Sequence, residues 1–318
     1  MEDLAARIPD IFGQWGYDLK RFRPDLNIAG SPARSLRRDV LEDVSGQIFV
    51  IEQLPPHKKQ LRLRQSAALR SIAPALQNLR ITLWLKTRSG EDGYTDEQGF
   101  FWQLRKWLPG LPLDREKYAD DAWRGKCAGE AAAAISACAP LWEGAPFLLG
   151  RYIQDLLPHF QQRMPALVKD IQPIIEELRP FTDEKEPAIP AAFCHGDYHP
   201  GNILWGENSI QGIIDWEFMG MKYPAYDLAN MLGCLGMDLP ENLYGPMAME
   251  MVRTLRQKEC FTAAVWECLP EAVAALRFAW LREWVALKDI PMLCQELNFI
   301  WLVLDNRDRL RSKWGLSR

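Results

Sequence analysis

The hydrophobic pattern of this chain changes character once, near residue 108, and that change limits the folds open to it. Before it, β-branched and aromatic residues gather in short runs bounded by turns. Gln47-Ile48-Phe49-Val50-Ile51 follows the turn signal Ser45-Gly46. Leu79 to Lys86 alternates as a strand, and Gly99 to Trp107 reads as its hairpin partner across Ser89-Gly90-Glu91-Asp92-Gly93. One helix interrupts the strands, Lys59 to Ala73, with Leu61, Leu63 and Leu69 at helical spacing. Leu108-Pro109-Gly110 ends the run, because proline cannot serve a central ladder and glycine permits a sharp exit.

After residue 110 the periodicity is helical over Arg124 to Leu141, Leu149 to Leu178, and from Pro224 onward. Pro180 to Pro190, with three prolines and several charges, reads as a loop. Between 191 and 217 lie short apolar runs, Ala191 to Cys194 and Gly212 to Ile214, each leading into polar residues. The pattern predicts an α+β chain of two unequal lobes, a strand-rich one at 1–108 and a larger, mainly helical one at 109–318, with a cleft between them. Val273, Leu276, Trp280, Trp284 and Leu287 form one late helical stripe, and Leu293, Leu297, Ile300, Trp301 and Leu304 another. Two readings are open for their tryptophans: helix packing, or an aromatic wall for an ammonium group beside Glu283, Asp289 and Glu296.

The chain's 318 residues carry a net charge of -4 and a pI near 5.7, which supply no counterion-release drive toward nucleic acid. No run of 18 apolar residues is present, and Met1-Glu2-Asp3-Leu4 is acidic where a secretory signal is basic, so no membrane partner is expected. Seven scattered cysteines form no CxxC pair, which argues against zinc and disulfides and for the cytoplasm.

The chemistry concentrates in Cys194-His195-Gly196-Asp197-Tyr198-His199-Pro200-Gly201-Asn202-Ile203-Leu204 and Ile213-Ile214-Asp215-Trp216-Glu217. Phosphoryl transfer needs an acceptor for a hydroxyl proton and hard oxygen ligands for magnesium. Asp197 suits the first task, and Asn202 with Asp215 suits the second. His195 and His199 read as loop-bracing residues and Cys194 as a small buried one. Glu217 serves either metal and substrate or a structural hydrogen bond.

This constellation resembles the catalytic and metal-binding loops of the aminoglycoside/choline phosphotransferase superfamily. The resemblance is tight over about 190–232, including Tyr226-Asp227-Leu228-Ala229, and looser over 44–112. It implies a protein-kinase-like bilobal fold and transfer of the γ-phosphoryl group of ATP to a small-molecule hydroxyl, on an amino alcohol, an amino sugar or a related metabolite. It makes Asp197 the catalytic base or hydroxyl-orienting group, Asn202 and Asp215 the Mg2+ ligands, His195 a scaffold residue, and backbone groups near Lys106 and Leu108 the adenine contacts. One departure stands out. Where the family's third strand carries a phosphate-binding lysine or arginine, this chain has Glu52, and Gln65 stands for the paired helix glutamate. Lys58, Lys59, Arg37 and Arg38 are the candidate substitutes, and Glu52 is expected to point away from the phosphates or to pair with a basic neighbour such as Lys58 or Arg62. Loss of both partners also leaves a second reading open, a pseudokinase that binds nucleotide or acts as a scaffold.

Overall fold

The computed structural model describes residues 4–26 and 35–316. The chain divides into two units. The first comprises Met1–Pro112, Pro140–Glu143 and Gly201–Glu217, and the second Leu113–Ala139, Gly144–Pro200 and Phe218–Arg318.

The first unit is built on an antiparallel sheet whose strands lie in the order β1 (Leu19–Phe22), β2 (Arg37–Asp43), β3 (Ile48–Leu54), β5 (Phe101–Lys106) and β4 (Tyr94–Thr95). Alternation along β3 sends Phe49 and Ile51 to one face and Val50 and Glu52 to the other. Helix α1 (Leu4–Gly13) covers the first face, where Ile8, Ile11, Phe12 and Trp15 pack on Leu41, Phe49, Ile51, Trp102 and Leu104. Helix α2 (Lys59–Ile72) brings Arg62 to the Glu52 face.

Residues 79–86 do not form the expected strand. They touch the sheets only through isolated bridges, Ile81 to Ile213 and Trp84 to Arg105. The carbonyls that a ladder would use are bonded elsewhere. Trp84 O accepts from Arg70, Leu85 O from the Trp15 indole at 2.9 Å, and Arg80 O from Ile213 N at 3.1 Å. The strand at 101–106 therefore pairs with β3 and β4. A short hairpin, β7 (Ile203–Trp205) and β8 (Ile210–Ile213), also belongs to this unit, held by the Ile81 bridge and a second between Leu111 and Trp205.

The second unit is helical around one small sheet of β6 (Ala192–Cys194) and β9 (Gly220–Lys222). Its helices are α3 (Ala122–Ser136), α4 (Leu149–Arg163), α5 (Pro165–Arg179), α6 (Glu186–Ala188), α7 (Tyr226–Asp238), α8 (Pro246–Gln257), α9 (Ala263–Glu267), α10 (Leu269–Leu287), α11 (Ile290–Asp305) and α12 (Arg307–Lys313). The stretch expected as a loop after Leu178 is helical through Ala188. Pro180 and Pro187 occupy first-turn positions, where a missing N–H breaks no bond. Buried Glu186 accepts from the first amides of α4, Leu149 N at 2.7 Å and Gly150 N at 3.0 Å. The long apolar pattern between 149 and 178 breaks at Met164-Pro165, with proline opening α5. All seven cysteines are free, and among the described residues no helix is long and apolar enough to cross a membrane.

Candidate active site

In the second unit the chain leaves β6 into His195-Gly196-Asp197. His195 is fully buried, and its Nδ1 accepts from Asp197 N at 3.2 Å. Gly196 has φ +84°, and a Cβ there would lie 2.0 Å from Phe218 O, so only glycine fits. Asp227, in the first turn of α7, clamps the loop from below. Its carboxylate accepts from His195 N at 2.7 Å and Gly196 N at 2.8 Å. Burial raises the Asp227 carboxyl to about 6, against the lowering pull of those two amides. Asp197 Oδ1 lies 3.9 Å from His199 Nε2. Beside the loop, buried Lys222 packs against the rings of Phe147 and Tyr226 at 4.2 and 4.8 Å, and burial lowers its pKa.

In the first unit, Asn202 and Asp215 stand at one end of the β7–β8 hairpin. The register pairs Ile203 with Ile213, so the residues just outside, Asn202 and Ile214, are neighbours, and Ile214 N donates to Asn202 O at 3.0 Å. Residues well separated in sequence are thereby brought to adjacency. Asp215 has φ +66°, a left-handed conformation that costs on the order of 1 kcal/mol and that aspartate tolerates better than most residues. The next residue, Trp216, is buried and anchors the turn through its indole N–H to Ile213 O at 3.0 Å. An amide oxygen and a carboxylate suit magnesium, which keeps waters and phosphate oxygens for its remaining positions. Among the described residues, no group of three or more His, Cys, Asp or Glu is arranged to hold a metal. Lys106 ends β5 at the surface, and Leu108 lies against the same hairpin, with its Cδ1 2.7 Å from where a Cβ on Gly212 would be.

Behind Asp215 lies a knot of charge. Glu52, 3% exposed, is ringed by Arg38 at 3.0 Å, Arg105 at 3.7 Å and Arg62 at 3.9 Å. Burial alone would raise its carboxyl, but the charges of Arg38, Arg105 and Arg62 hold it below the ordinary range. Burial also lowers the pKa of Arg105. Arg62 Nη2 binds Glu217, whose backbone oxygen accepts from Gln65 at 2.6 Å. Of the partners expected for Glu52, Arg62 is present, and Arg38 and Arg105 lie closer to it. Arg105 carries little signal in the sequence, because the Arg38–Glu52 register on β2–β3 and the place of Arg105 on β5 depend on strand order, which no local pattern reveals.

The tryptophan stripe in the second unit does two things. Trp280 stacks with Trp284 at 6.3 Å and meets the His199 ring edge-on at 6.4 Å. The cation over Trp280 is internal: the Arg277 guanidinium lies 5.3 Å from its centroid and pairs with Glu296 at 2.7 Å. Glu296 is fully buried, and Trp284 Nε1 donates to it at 3.1 Å. Asp289 caps α11 at Met292 N.

A family model described as "Phosphotransferase enzyme family" matches residues 45–250. A homoserine kinase of Acidiphilium cryptum (strain JF-5) is 29% identical over 122 residues, covering 36% of this chain and 38% of that protein. A homoserine kinase of Chelativorans sp. (strain BNC1) is 27% identical over 218 residues, 56% of this chain and 65% of that protein. The chain thus spans less than two thirds of the length of these curated relatives. Among solved structures, an amicoumacin kinase in complex with AMP-PNP, Ca2+ and Ami superposes with a TM-score of 0.72 at 12% identity, over 96% of this chain and 93% of that one. A thermostable aminoglycoside phosphotransferase mutant in complex with ADP and hygromycin B gives 0.68 at 14% identity, over 94% and 98%. At such identities the likeness establishes the fold, which is protein-kinase-like.

Proposed function

The chain belongs to the phosphotransferase enzyme family, and from that premise we propose that it is a small-molecule kinase that moves the γ-phosphoryl group of ATP to a hydroxyl of an amino alcohol, an amino sugar or a related metabolite. Residues 1–108 serve the nucleotide, with backbone groups near Lys106 and Leu108 on the adenine, and residues 109–318 serve catalysis and the acceptor. The hydroxyl oxygen bonds to the γ-phosphorus as the bond to the bridging oxygen of ADP breaks, and the hydroxyl proton passes to Asp197. Asn202 and Asp215 would hold Mg2+, which when bound would neutralise charge on the phosphoryl oxygens. The amicoumacin kinase complex, which holds AMP-PNP and Ca2+, supports ATP with a divalent ion as the cofactors here. The free cysteines fit a cytoplasmic protein.

One observation carries the reading: the Asp227 carboxylate accepts from both amides of His195 and Gly196, which fixes the loop that presents Asp197. Asp197→Asn keeps the shape and removes the proton acceptor. Turnover is expected to fall on the order of 10²- to 10⁴-fold, with nucleotide affinity near normal. The check is ATP consumption with homoserine, choline, ethanolamine and aminoglycosides as acceptors. Turnover by the variant within about threefold of the unaltered protein would reject the role.

A second reading, a nucleotide-binding module without transfer, is favoured by Glu52 at the strand position where the family resemblance implies a cation. Tight binding of Mg-ATP with no ATP consumption across that acceptor panel would select it.

A further inference from the structure

We propose that Arg62 of α2, and no residue of β3, is the cation that binds the nucleotide's phosphates, donating through Nη1 with Trp84 Nε1 as a second donor. The inference rests on the ATP reading above and names how this chain compensates for Glu52.

Glu52 and Arg62 form a strand–helix ion pair whose signs are exchanged relative to the arrangement that the family resemblance implies. Glu52 does not need Arg62 for neutrality, since Arg38 and Arg105 lie closer, at 3.0 and 3.7 Å. Arg62 is held in place instead by its bond to Glu217, two residues beyond Asp215, and by the Trp84 ring 5.5 Å from its guanidinium carbon. The guanidinium is planar and rigid, so one clamped edge fixes where the other edge points.

That other edge has nothing to bond. Arg62 is 2% exposed, and its Nη1 is buried without a hydrogen-bond partner. Trp84 Nε1, also buried, lacks one as well. Both side chains line a cavity of about 20 Å³ together with Asp215, Glu52, Arg105 and Glu217. Two side chains that line the same cavity and each carry a buried donor without a partner are unusual, because buried polar groups are almost always satisfied. The complement to two donors is an acceptor, and the volume admits one oxygen-sized group. A terminal oxygen of a metal-bound phosphate meets both conditions beside the carboxylate assigned to the metal.

The test is calorimetry of Mg-AMP-PNP and of adenosine with the unaltered protein, Arg62→Met, Arg62→Lys and Arg62→Glu. Each variant is first checked for folding by circular dichroism and thermal melting. Arg62→Met is expected to weaken AMP-PNP about 10- to 100-fold and to change adenosine affinity less than threefold, because only the phosphates meet Arg62. Arg62→Lys, which keeps charge but loses the second edge, is expected to fall between. Arg62→Glu, which sets a carboxylate where the phosphates bind, is expected to weaken AMP-PNP at least 100-fold, and this arm decides the matter if Arg62→Met does not fold, since binding within threefold of normal overturns the inference. AMP-PNP binding within threefold of normal in folded Arg62→Met overturns the inference alone, and marks the cavity as a water site. Failure of the unaltered protein to bind AMP-PNP overturns the ATP reading itself.

Discussion

Both units bury arginine–glutamate charge, and they finish the job differently. In the second unit Arg277 and Glu296 make a closed pair: two hydrogen bonds join them, the Trp284 indole adds a third to Glu296, and Trp280 and Phe299 cover the guanidinium. No buried nitrogen or oxygen of either residue is left without a partner. In the first unit Glu52 collects three arginines, yet Arg62 Nη1, Gln65 Oε1 and Trp84 Nε1 remain unsatisfied. An unsatisfied buried donor costs about 1–3 kcal/mol. A chain that closes one such cluster fully has the means to close the other. The open one is therefore read as a binding site and the closed one as architecture.

The contrast between the two clusters is largest at Glu296. Glu296→Ala strands a buried guanidinium, and urea denaturation should show a loss of roughly 3–5 kcal/mol. Nucleotide affinity in the folded fraction should stay within threefold; a larger change would mean that the closed pair is not purely architectural.

The next effect in size comes from Asp227, whose buried charge is satisfied by backbone amides and not by an arginine. Its carboxyl is raised to about 6 from the ordinary 3.8, so the folded state binds the proton more tightly than the unfolded chain does. The contribution of this group to stability is complete below pH 3.8 and is lost as pH rises through about 6. The total is about 3 kcal/mol at roughly 1.4 kcal/mol per pH unit. The stability difference between the unaltered protein and Asp227→Asn, measured by denaturant titration at about pH 5 and about pH 8, should therefore favour the unaltered protein more at the lower pH. A difference independent of pH would place the titration elsewhere.

The smallest effect concerns the closed pair itself. Trp284→Phe removes one hydrogen bond to Glu296 and keeps most of the ring, so the expected loss is about 1 kcal/mol by the same denaturation. A loss of several kcal/mol would show that the indole N–H, and not Arg277, keeps Glu296 satisfied.

Local sequence is enough where structure is local. The Ile48–Leu54 strand, the Lys59–Ile72 helix and the late helices show the periods that their burial demands. Asp197, Asn202 and Asp215 are visible because hard-oxygen chemistry needs those residue types and the loops holding them are short. The strands at 19–22 and 37–43 leave no such signal, as short, charged segments whose partners lie far along the chain. Residues 79–86 mislead for the opposite reason: their alternation is strand-like, but distant side chains have taken the carbonyls.

The sequence by itself determined which atoms are available for chemistry: a carboxylate at Asp197, an amide and a carboxylate at Asn202 and Asp215, and no basic side chain at residue 52. Only the tertiary structure decided which charges meet. Arg38, Arg62 and Arg105 come from three elements, and strand order and helix docking bring them to one glutamate. The physical reason is one of range. Periodicity is set by neighbours about three or four residues away, whereas the neutralisation of a buried charge is set by distances of a few ångströms between residues far apart in the chain.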